Sequence, residues 1–249
     1  MIRREWLLLR VALQFLTRLP LRLPGWDEAW LNACVRHFPL VGALIGAFCG
    51  AVLWACAQIW PPMVAAGLAL AAGALLTGAF HEDGLADSFD ALGGVVSRER
   101  ALEIMKDSRI GSYGALALLL VTGLRWAVLA QLCAGSPEAA ALALVAVHSV
   151  ARLAPVAVMV ALPYAGTPEH AKAKPLAQQV PRAQLGWALL ACLPALALMA
   201  RPALLLAVAA LSALAMGAWL RRRLGGYTGD GLGATEQLTE LTLLLCLAS

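Results

Sequence analysis

Four carboxylates lie within nine residues of the chain, at Glu82, Asp83, Asp87 and Asp90, directly after a long apolar run. If this stretch is helical, the three aspartates sit at i, i+4 and i+7 and project from one face. Like charges at this spacing repel one another unless a cation lies among them. Carboxylate oxygens suit Mg²⁺, which usually also binds substrate phosphate when it is held in this way. The pattern favours a metal–phosphate site over a solvated acidic helix end.

A basic motif follows about twenty residues later, with the sequence Met-Lys-Asp-Ser-Arg-Ile-Gly-Ser-Tyr-Gly at positions 105–114. Lys106 and Arg109 are spaced to reach anionic oxygens, and the glycines allow backbone amides to turn toward a phosphate. The alternative is a set of basic residues that anchors the next membrane span on its inner side. The nearness of the acidic residues favours a functional role.

A third motif is rich in glycine and reads Gly-Gly-Tyr-Thr-Gly-Asp-Gly-Leu-Gly-Ala at positions 225–234. Glycine backbone can approach a phosphate closely, so we interpret the segment as a phosphate-facing loop, with a flexible turn between helices as the alternative. Asp230 is placed to ligate a metal. Glu236 and Glu240 follow at a spacing of four and share one face of a closing helix, where their charges are costly in an otherwise apolar segment.

These motifs lie in a chain that is too apolar for an ordinary soluble domain, with 61% apolar residues, 14% charged residues and a mean hydropathy of +0.76. Apolar runs of about 17 residues or more predict membrane-spanning helices. Six spans and a shorter seventh are predicted, at 38–60, 63–80, 114–133, 139–162, 184–200, 202–220 and 234–248. The predicted fold is all-α, a polytopic integral membrane helical bundle of about 6–7 transmembrane helices in one domain at 1–249, with an interfacial amphipathic helix at 1–24.

The basic residues predict the orientation of that domain. With the N-terminus inside, sixteen lysines and arginines fall on the cytoplasmic side and only Arg201 falls outside. The motifs at 81–113 and 225–240 then share the cytoplasmic face. Orientation and anionic lipid explain these basic residues better than nucleic acid, which we do not expect as a partner. The six cysteines lie mostly in apolar runs without C-x-x-C spacing and predict neither disulfides nor zinc ligands.

Three basic residues lie inside predicted spans, where charge is costly and usually functional. His148 and Arg152 are four residues apart, so they share one face of the fourth span and are expected to face the site. Arg125 lies in the third span and is either a functional residue or a structural partner of an acid. The segment 164–183 is rich in proline and is predicted to be an irregular cytoplasmic linker, with a substrate lid as the alternative.

Carboxylates for Mg²⁺, cations for phosphate and a membrane setting indicate transfer chemistry on a phosphate or diphosphate substrate. The residues alone leave three classes open: a nucleotide-diphosphate alcohol phosphotransferase, a polyprenyl-diphosphate transferase and a cation-coupled transporter. A polyprenyl transferase would carry two D-x-x-x-D motifs, whereas only Asp83 and Asp87 fit that spacing. A transporter would carry midplane acids and an inverted repeat, whereas these acids cluster at one membrane face and no internal repeat is evident.

Three stretches together resemble the cobalamin synthase family, whose full name is adenosylcobinamide-GDP ribazoletransferase. They are His81-Glu82-Asp83-Gly84-Leu85-Ala86-Asp87 continuing through Asp90-Ala91-Leu92-Gly93-Gly94, then Met105-Lys106-Asp107-Ser108-Arg109-Ile110-Gly111, then Gly226-Tyr227-Thr228-Gly229-Asp230-Gly231-Leu232-Gly233-Ala234. The likeness begins at Phe15-Leu16-Thr17-Arg18-Leu19-Pro20 and runs to the final glutamates. It implies a Mg²⁺-dependent integral membrane enzyme of late vitamin B12 assembly. That enzyme joins adenosylcobinamide-GDP to α-ribazole or its 5′-phosphate, releasing GMP and yielding adenosylcobalamin or its 5′-phosphate.

Chemical reasoning, not the resemblance, assigns roles within these motifs. The predicted metal ligands are Glu82, Asp83 and Asp87. The predicted catalytic residues are Asp90, as a further ligand or the general base, with Lys106 and Arg109 for the diphosphate. The predicted substrate contacts are His81, Asp107, His148, Arg152, Gly226, Thr228, Gly229, Asp230, Glu236 and Glu240. The expected cofactor is Mg²⁺ and the expected location is the bacterial inner membrane, with membrane lipid as a partner. The glycines of the first span also permit a homo-oligomer.

Overall fold

The computed structural model describes residues 2–25, 27–166 and 180–249. These residues form α-helices joined by short connections, with an isolated bridge between Tyr164 and Tyr227. The helices are α1 Ile2–Leu16, α2 Glu28–Cys34, α3 Phe38–Ala57, α4 Pro62–Thr77, α5 Phe80–Leu92, α6 Arg98–Ile104, α7 Ser112–Gly135, α8 Pro137–Ala151, α9 Leu153–Ala161, α10 Arg182–Leu196, α11 Pro202–Leu224 and α12 Gly229–Ala248. The predicted all-α fold is confirmed. Most of the predicted linker at 164–183 lies outside the described residues.

Each predicted span overlaps a helix or a pair of helices in the structure. Among the described residues, four stretches are long and apolar enough to cross a membrane: Glu28–Ala57, Ser112–Gly135, Pro137–Ala161 and Pro202–Leu224. The helices α4 and α5 meet at a bend of 89°. If they are counted together as one broken span, they make a fifth. The two remaining predicted spans correspond to α10, with 15 residues, and α12, with 20.

The stretch α8–α9 forms the centre of the bundle. In its apolar 18-residue segment, 83% is buried, compared with 22–39% of the corresponding segments in the other three stretches. Glycines of α3 allow that helix to lie directly against α8. A Cβ on Gly46 would lie 2.8 Å from the carbonyl carbon of Leu144, and one on Gly50 would lie 2.6 Å from the carbonyl oxygen of Ala141. These glycines therefore allow a close approach to a helix of the same chain, and the predicted homo-oligomer stays a prediction.

A sharp corner at residues 78–79 turns the acidic motif across the end of α4. Gly78 has φ 72° and Ala79 has φ 56°, so two consecutive residues adopt the left-handed conformation. This conformation breaks the α4 hydrogen-bond ladder and redirects the chain by 89°. Glycine tolerates it, whereas alanine does so at a cost. The predicted second span therefore ends at Thr77, and the four carboxylates belong to the separate helix α5.

The glycine-rich motif is mostly helical, which corrects the prediction of a phosphate-facing loop. Gly225, with φ 76°, ends α11, and the Thr228 hydroxyl accepts a hydrogen bond from the Gly231 amide at the start of α12. The later glycines serve helix packing: a Cβ on Gly84 of α5 would lie 2.9 Å from the carbonyl oxygen of Asp230. Tertiary contact between α5 and α12 outweighs the loop preference of glycine in this segment.

We expect Gly78→Ala to destabilise the protein by about 1–2 kcal/mol, because a Cβ in the left-handed conformation is strained. The new Cβ would also clash with Nε of the Arg18 side chain, which would have to move. Thermal unfolding of the detergent-solubilised protein measures the change. Gly123→Ala on α7 is the matched control, since its Cβ meets nothing within 4 Å, and it should be at least as stable as the native chain. Equal stability of the two variants would contradict the role of the corner.

Candidate active site

The three motifs meet at one end of the bundle. Arg98 at the start of α6 donates a hydrogen bond from Nε to the carbonyl oxygen of Leu224 at 2.7 Å. Arg223 on α11 donates from its two terminal nitrogens to the carbonyl oxygens of Leu92, at 2.5 Å, and Gly94, at 2.7 Å. These bonds fasten the end of α5 and the start of α6 to the end of α11. The structure therefore brings the three motifs together, and their predicted place on the cytoplasmic face stays a prediction.

The basic motif is attached to the other two by contacts of its own. The Asp90 carboxylate accepts hydrogen bonds from the amides of Gly111, at 2.7 Å, and Gly114, at 2.8 Å. It thereby satisfies unpaired amides at the N-terminus of α7, where negative charge is favourable. On the opposite side, the Thr228 hydroxyl lies 3.7 Å from the sulfur of Met105. Residues 105–111 are thus held between α5 and the start of α12.

The outward face of α5 carries the aspartates that were predicted to bind metal. Asp83 is exposed, and Asp87 and Asp90 are half-buried. The spacing of four places Asp83 and Asp87 on successive turns of this face. Asp230 lies in the first turn of α12, where its backbone packs against Gly84 of α5. The structure therefore brings Asp230 beside the acidic helix.

Asp90 has a structural task besides any catalytic one. Each of its carboxylate oxygens accepts one backbone hydrogen bond from the basic motif. A carboxylate offers about four acceptor positions, so its oxygens retain capacity for a metal or a proton. Its predicted role as ligand or general base stays a prediction.

The cations of the basic motif are accessible. Lys106 is exposed, and the Arg109 side chain is 87% exposed. The Arg109 guanidinium donates hydrogen bonds to both oxygens of Asp107, at 2.9 Å and 2.5 Å. These bonds, together with one from the Arg109 amide, hold the pKa of Asp107 at about 2. Asp107, predicted to contact substrate, is therefore a partner of Arg109 in this structure.

Behind the acidic helix lies a buried network that contains the remaining predicted polar residues. His148 Nδ1 lies 2.5 Å from Oε1 of Glu240. Arg152 Nη1 lies 2.9 Å from Oε1 of Glu236 and 3.4 Å from Oε1 of Glu240. Arg125 contacts Glu240 through its Nη2 atom. All five residues are at most 6% exposed. The predicted face of His148 and Arg152 thus meets the predicted face of Glu236 and Glu240.

Glu82 belongs to this buried network and points away from the aspartates. Its Oε1 lies 3.3 Å from Nε2 of Gln237 and 3.8 Å from Nη1 of Arg125. Successive residues on a helix point about 100° apart, which explains why Glu82 faces inward while Asp83 faces outward. The structure therefore separates Glu82 from the two aspartates with which it was grouped as a ligand. Its own predicted ligation stays a prediction.

The network also lines a partly open cavity of about 20 Å³, room for a single water molecule. Its walls include buried polar atoms that lack a hydrogen-bond partner among the described residues. These are Glu82 Oε2, Arg125 Nε, Arg152 Nε and Glu236 Oε1, the last lying close to Arg152 without a well-directed hydrogen bond. A water molecule can both donate to the carboxylates and accept from the guanidiniums, so it fits this cavity.

This network is a poor metal site despite its ligand types. One ligand atom from each of His148, Glu236 and Glu240 lies within 4.8 Å of the others. However, Nη1 of Arg152 lies within 3.4 Å of all three side chains. The guanidinium already provides the positive charge that a metal would bring, and a metal would have to displace it. The outward aspartates therefore remain the better metal ligands.

Sequence reasoning missed two parts of this region. Gln237 bridges Glu82 and Arg125, but a glutamine between two acidic positions carries no signal of its own. The aromatic group of Phe15, Phe38 and Phe80 was also missed: Phe15 stacks on Phe38 with ring centroids 5.8 Å apart and meets Phe80 edge-on at 5.6 Å. His81, predicted to contact substrate, is 5% exposed and lies behind Phe80 with ring centroids 5.3 Å apart.

Comparison with known proteins identifies relatives over nearly the whole chain. The profile of the cobalamin-5-phosphate synthase family matches residues 8–248. A relative from Leptothrix cholodnii, named adenosylcobinamide-GDP ribazoletransferase, is 55% identical over 94% of this chain and 92% of its own length. Relatives with the same name are 43% identical in Albidiferax ferrireducens, over 96% of both chains, and 41% identical in Shewanella frigidimarina, over 97% of this chain and 94% of the relative. No solved structure matches the chain.

We expect Arg125→Ala to destabilise the protein by about 3–5 kcal/mol, because it leaves Glu240 with one cation fewer in an apolar interior. Thermal or denaturant unfolding in detergent measures the loss. Arg100→Ala is the matched control, since Arg100 pairs with Glu103 at 2.9 Å but both side chains are more than 60% exposed. That pair should contribute at most about 1 kcal/mol. Similar losses in the two variants would contradict the importance of the buried network.

Proposed function

Because the chain belongs to the cobalamin-5-phosphate synthase family, we propose that this transferase of cobalamin synthesis uses adenosylcobinamide-GDP and α-ribazole, or its 5′-phosphate, as substrates. The 3′-hydroxyl of the nucleoside forms a bond to the phosphorus that carries the corrinoid arm. The bond from that phosphorus to the GMP oxygen breaks, and the hydroxyl proton passes to a base. The products are adenosylcobalamin, or its 5′-phosphate, and GMP. The name shared by the relatives supports this pair of substrates.

One observation carries the proposal: a carboxylate face and an exposed basic segment are fixed side by side at one end of an apolar bundle. Asp90 on α5 holds the N-terminus of α7, directly after the segment that carries Lys106 and Arg109. Cations and carboxylates in this arrangement suit a diphosphate that is bound with a metal ion. Neither set alone would hold so charged a group beside the membrane.

The donor atoms on α5 fit Mg²⁺. Asp83 and Asp87 supply carboxylate oxygens on adjacent turns, and the Asp230 backbone packs against the same helix. Oxygen ligands are the ones that Mg²⁺ prefers, and the exposed position of Asp83 leaves room for water and substrate oxygens. Bound there, Mg²⁺ would neutralise charge on the diphosphate and orient the leaving group. We therefore propose Asp83 and Asp87 as its main ligands.

The residues of the basic motif bind and orient the donor substrate in this proposal. Lys106 and Arg109 hold the diphosphate oxygens, and as exposed side chains they can reach a ligand without uncovering the core. Asp90 fixes the distance between α5 and this motif through its two amide bonds and has acceptor capacity left for the hydroxyl proton. The buried arginines take no direct part, because both are paired with glutamates.

We also propose that this end of the bundle faces the cytoplasm at the bacterial inner membrane. The basic residues Arg98, Lys106, Arg109 and Arg223 all belong to elements at this end, as the positive-inside rule predicts for a cytoplasmic face. GMP release on this side would return the nucleotide to the cytoplasm. Trp6 on α1, 60% exposed, suits contact with lipid headgroups.

We expect Asp83→Asn to lower the rate of GMP release at least about a hundredfold, because a metal contributes several kcal/mol of transition-state stabilisation. The purified protein in liposomes is supplied with adenosylcobinamide-GDP, α-ribazole phosphate and Mg²⁺, and GMP and corrinoid products are quantified. Glu99→Gln is the matched control: it removes one negative charge from an exposed position on the neighbouring α6 and should keep full activity.

The outcomes separate the parts of the proposal. Full activity of Asp83→Asn would leave the reaction in place but remove the metal site from the outward face of α5. Activity of the native protein in the presence of a chelator would refute the need for Mg²⁺. No product from the folded native protein would refute the proposed reaction itself.

A further inference from the structure

A groove with aromatic walls opens at the N-terminal end of α5. Phe80 is the first residue of this helix and is 36% exposed. Phe15 of α1 meets the Phe80 ring edge-on, and Gly229 and Gly233 of α12 form another wall. His81 closes the groove on the inner side, together with parts of the buried network. The groove therefore joins the acidic motif to the glycine-rich motif, yet the chemistry described above uses neither its aromatic rings nor its glycines.

We propose that this groove holds the aromatic base of the nucleoside acceptor, stacked on the exposed side of Phe80; this inference rests on the proposed function. Aromatic side chains bind bases by stacking because every base has a π-face. The groove is partly open and holds about 30 Å³ of space, room for roughly one or two water molecules. Only an edge of a base can enter it, so the ring plane lies across the mouth against Phe80.

The position of the groove distinguishes the acceptor from the donor, which also carries an aromatic base. Phe80 and Asp83 are three residues apart on one face of α5, about 4.5 Å along the helix axis. In the acceptor, a single sugar separates the base from the reacting hydroxyl. In the donor, a sugar and a further phosphate separate guanine from the reacting phosphorus. The short distance from Phe80 to the metal-binding face fits the acceptor.

The order of groups along α5 supports the same assignment. Phe80 lies at the start of the helix, Asp83 and Asp87 lie in the middle, and Asp90 near the end holds the segment with the exposed cations. From Phe80 to Asp90 the helix rises about 15 Å. The acceptor base at one end and the donor diphosphate at the other would place the reacting hydroxyl and phosphorus between them, over the aspartates.

The accessible walls of the groove are almost entirely apolar, and the polar atoms Arg152 Nε and Glu236 Oε1 are buried behind them. Apolar walls suit the face of an aromatic base, and they would also suit a lipid acyl chain. The position of the groove beside Asp83 favours the base, because the groove lies within one helical turn of the proposed metal-binding face.

The test compares two substitutions on the same helix. Phe80→Leu removes the stacking ring from the groove, whereas Phe89→Leu removes a ring that packs against Trp219, with centroids 5.5 Å apart, away from the groove. We expect Phe80→Leu to raise the KM for α-ribazole about tenfold, in line with the contribution of base stacking. The KM for adenosylcobinamide-GDP should not change in this variant, and Phe80→Trp should restore the acceptor KM. Phe89→Leu should change neither KM.

A second variant tests the groove without removing an aromatic ring. A Cβ on Gly229 would meet nothing within 4 Å, so Gly229→Ala adds a methyl group to the groove wall without a clash in the fold. It should raise the acceptor KM while the thermal unfolding midpoint stays at the native value. This variant keeps the proposal testable if Phe80→Leu does not fold.

Each other outcome overturns the inference. A rise in the donor KM alone would assign the groove to guanine, and unchanged KM values in both Phe80→Leu and Gly229→Ala would show that no substrate base binds there. These results require an active native enzyme. Absence of GMP release from the native protein would instead refute the proposed function, so the two failures are distinguishable.

Discussion

The arrangement depends on the pairing of buried charge in the middle of an apolar bundle. A guanidinium or carboxylate in such surroundings is strongly unfavourable unless an opposite charge lies within hydrogen-bonding distance. Arg125 lies on α7, Arg152 lies between α8 and α9, and Glu240 lies on α12, so each meets its partners only if these helices have one relative position. Apolar contacts alone would tolerate sliding of these helices, whereas the ion pairs favour a single register. The network thereby favours one arrangement of the helices against which α5 packs.

The helix α5 links the buried network to the candidate site, because its two faces have different roles. Inward, Glu82 reaches Gln237 and Arg125 and ties the helix to the network. Outward, Asp83 remains exposed beside the basic motif. The corner at residues 78–79 makes this division feasible, because a helix that continued straight from α4 would point its carboxylates away from α12. The strain of a left-handed alanine in this corner is the type of local cost that functional sites tolerate.

The sequence predicted the helices well, because long apolar runs and helical spacing are local properties. The shared faces of His148 with Arg152 and of Glu236 with Glu240 followed from a spacing of four. Their meeting could not be predicted, since the partners lie 88 residues apart along the chain for Arg152 and Glu240 and no local pattern encodes such a pairing. The glycine-rich motif was misjudged for a related reason: glycine prefers loops in isolation, whereas here the segment is capped by Thr228 and packs against α5 as a helix.

The pairing of the buried arginines also decides which cations are available for chemistry. Arg152 is 2% exposed and lies between two glutamates, so a diphosphate could reach it only by breaking that network. Lys106 and Arg109 lie outside the buried network, and Arg109 pairs with the neighbouring Asp107. The exposed pair costs little to rearrange, because surface ion pairs contribute at most about 1 kcal/mol. In the proposed function, a charged substrate therefore meets exposed cations, and the buried Arg125 contributes by pairing with Glu82 of α5.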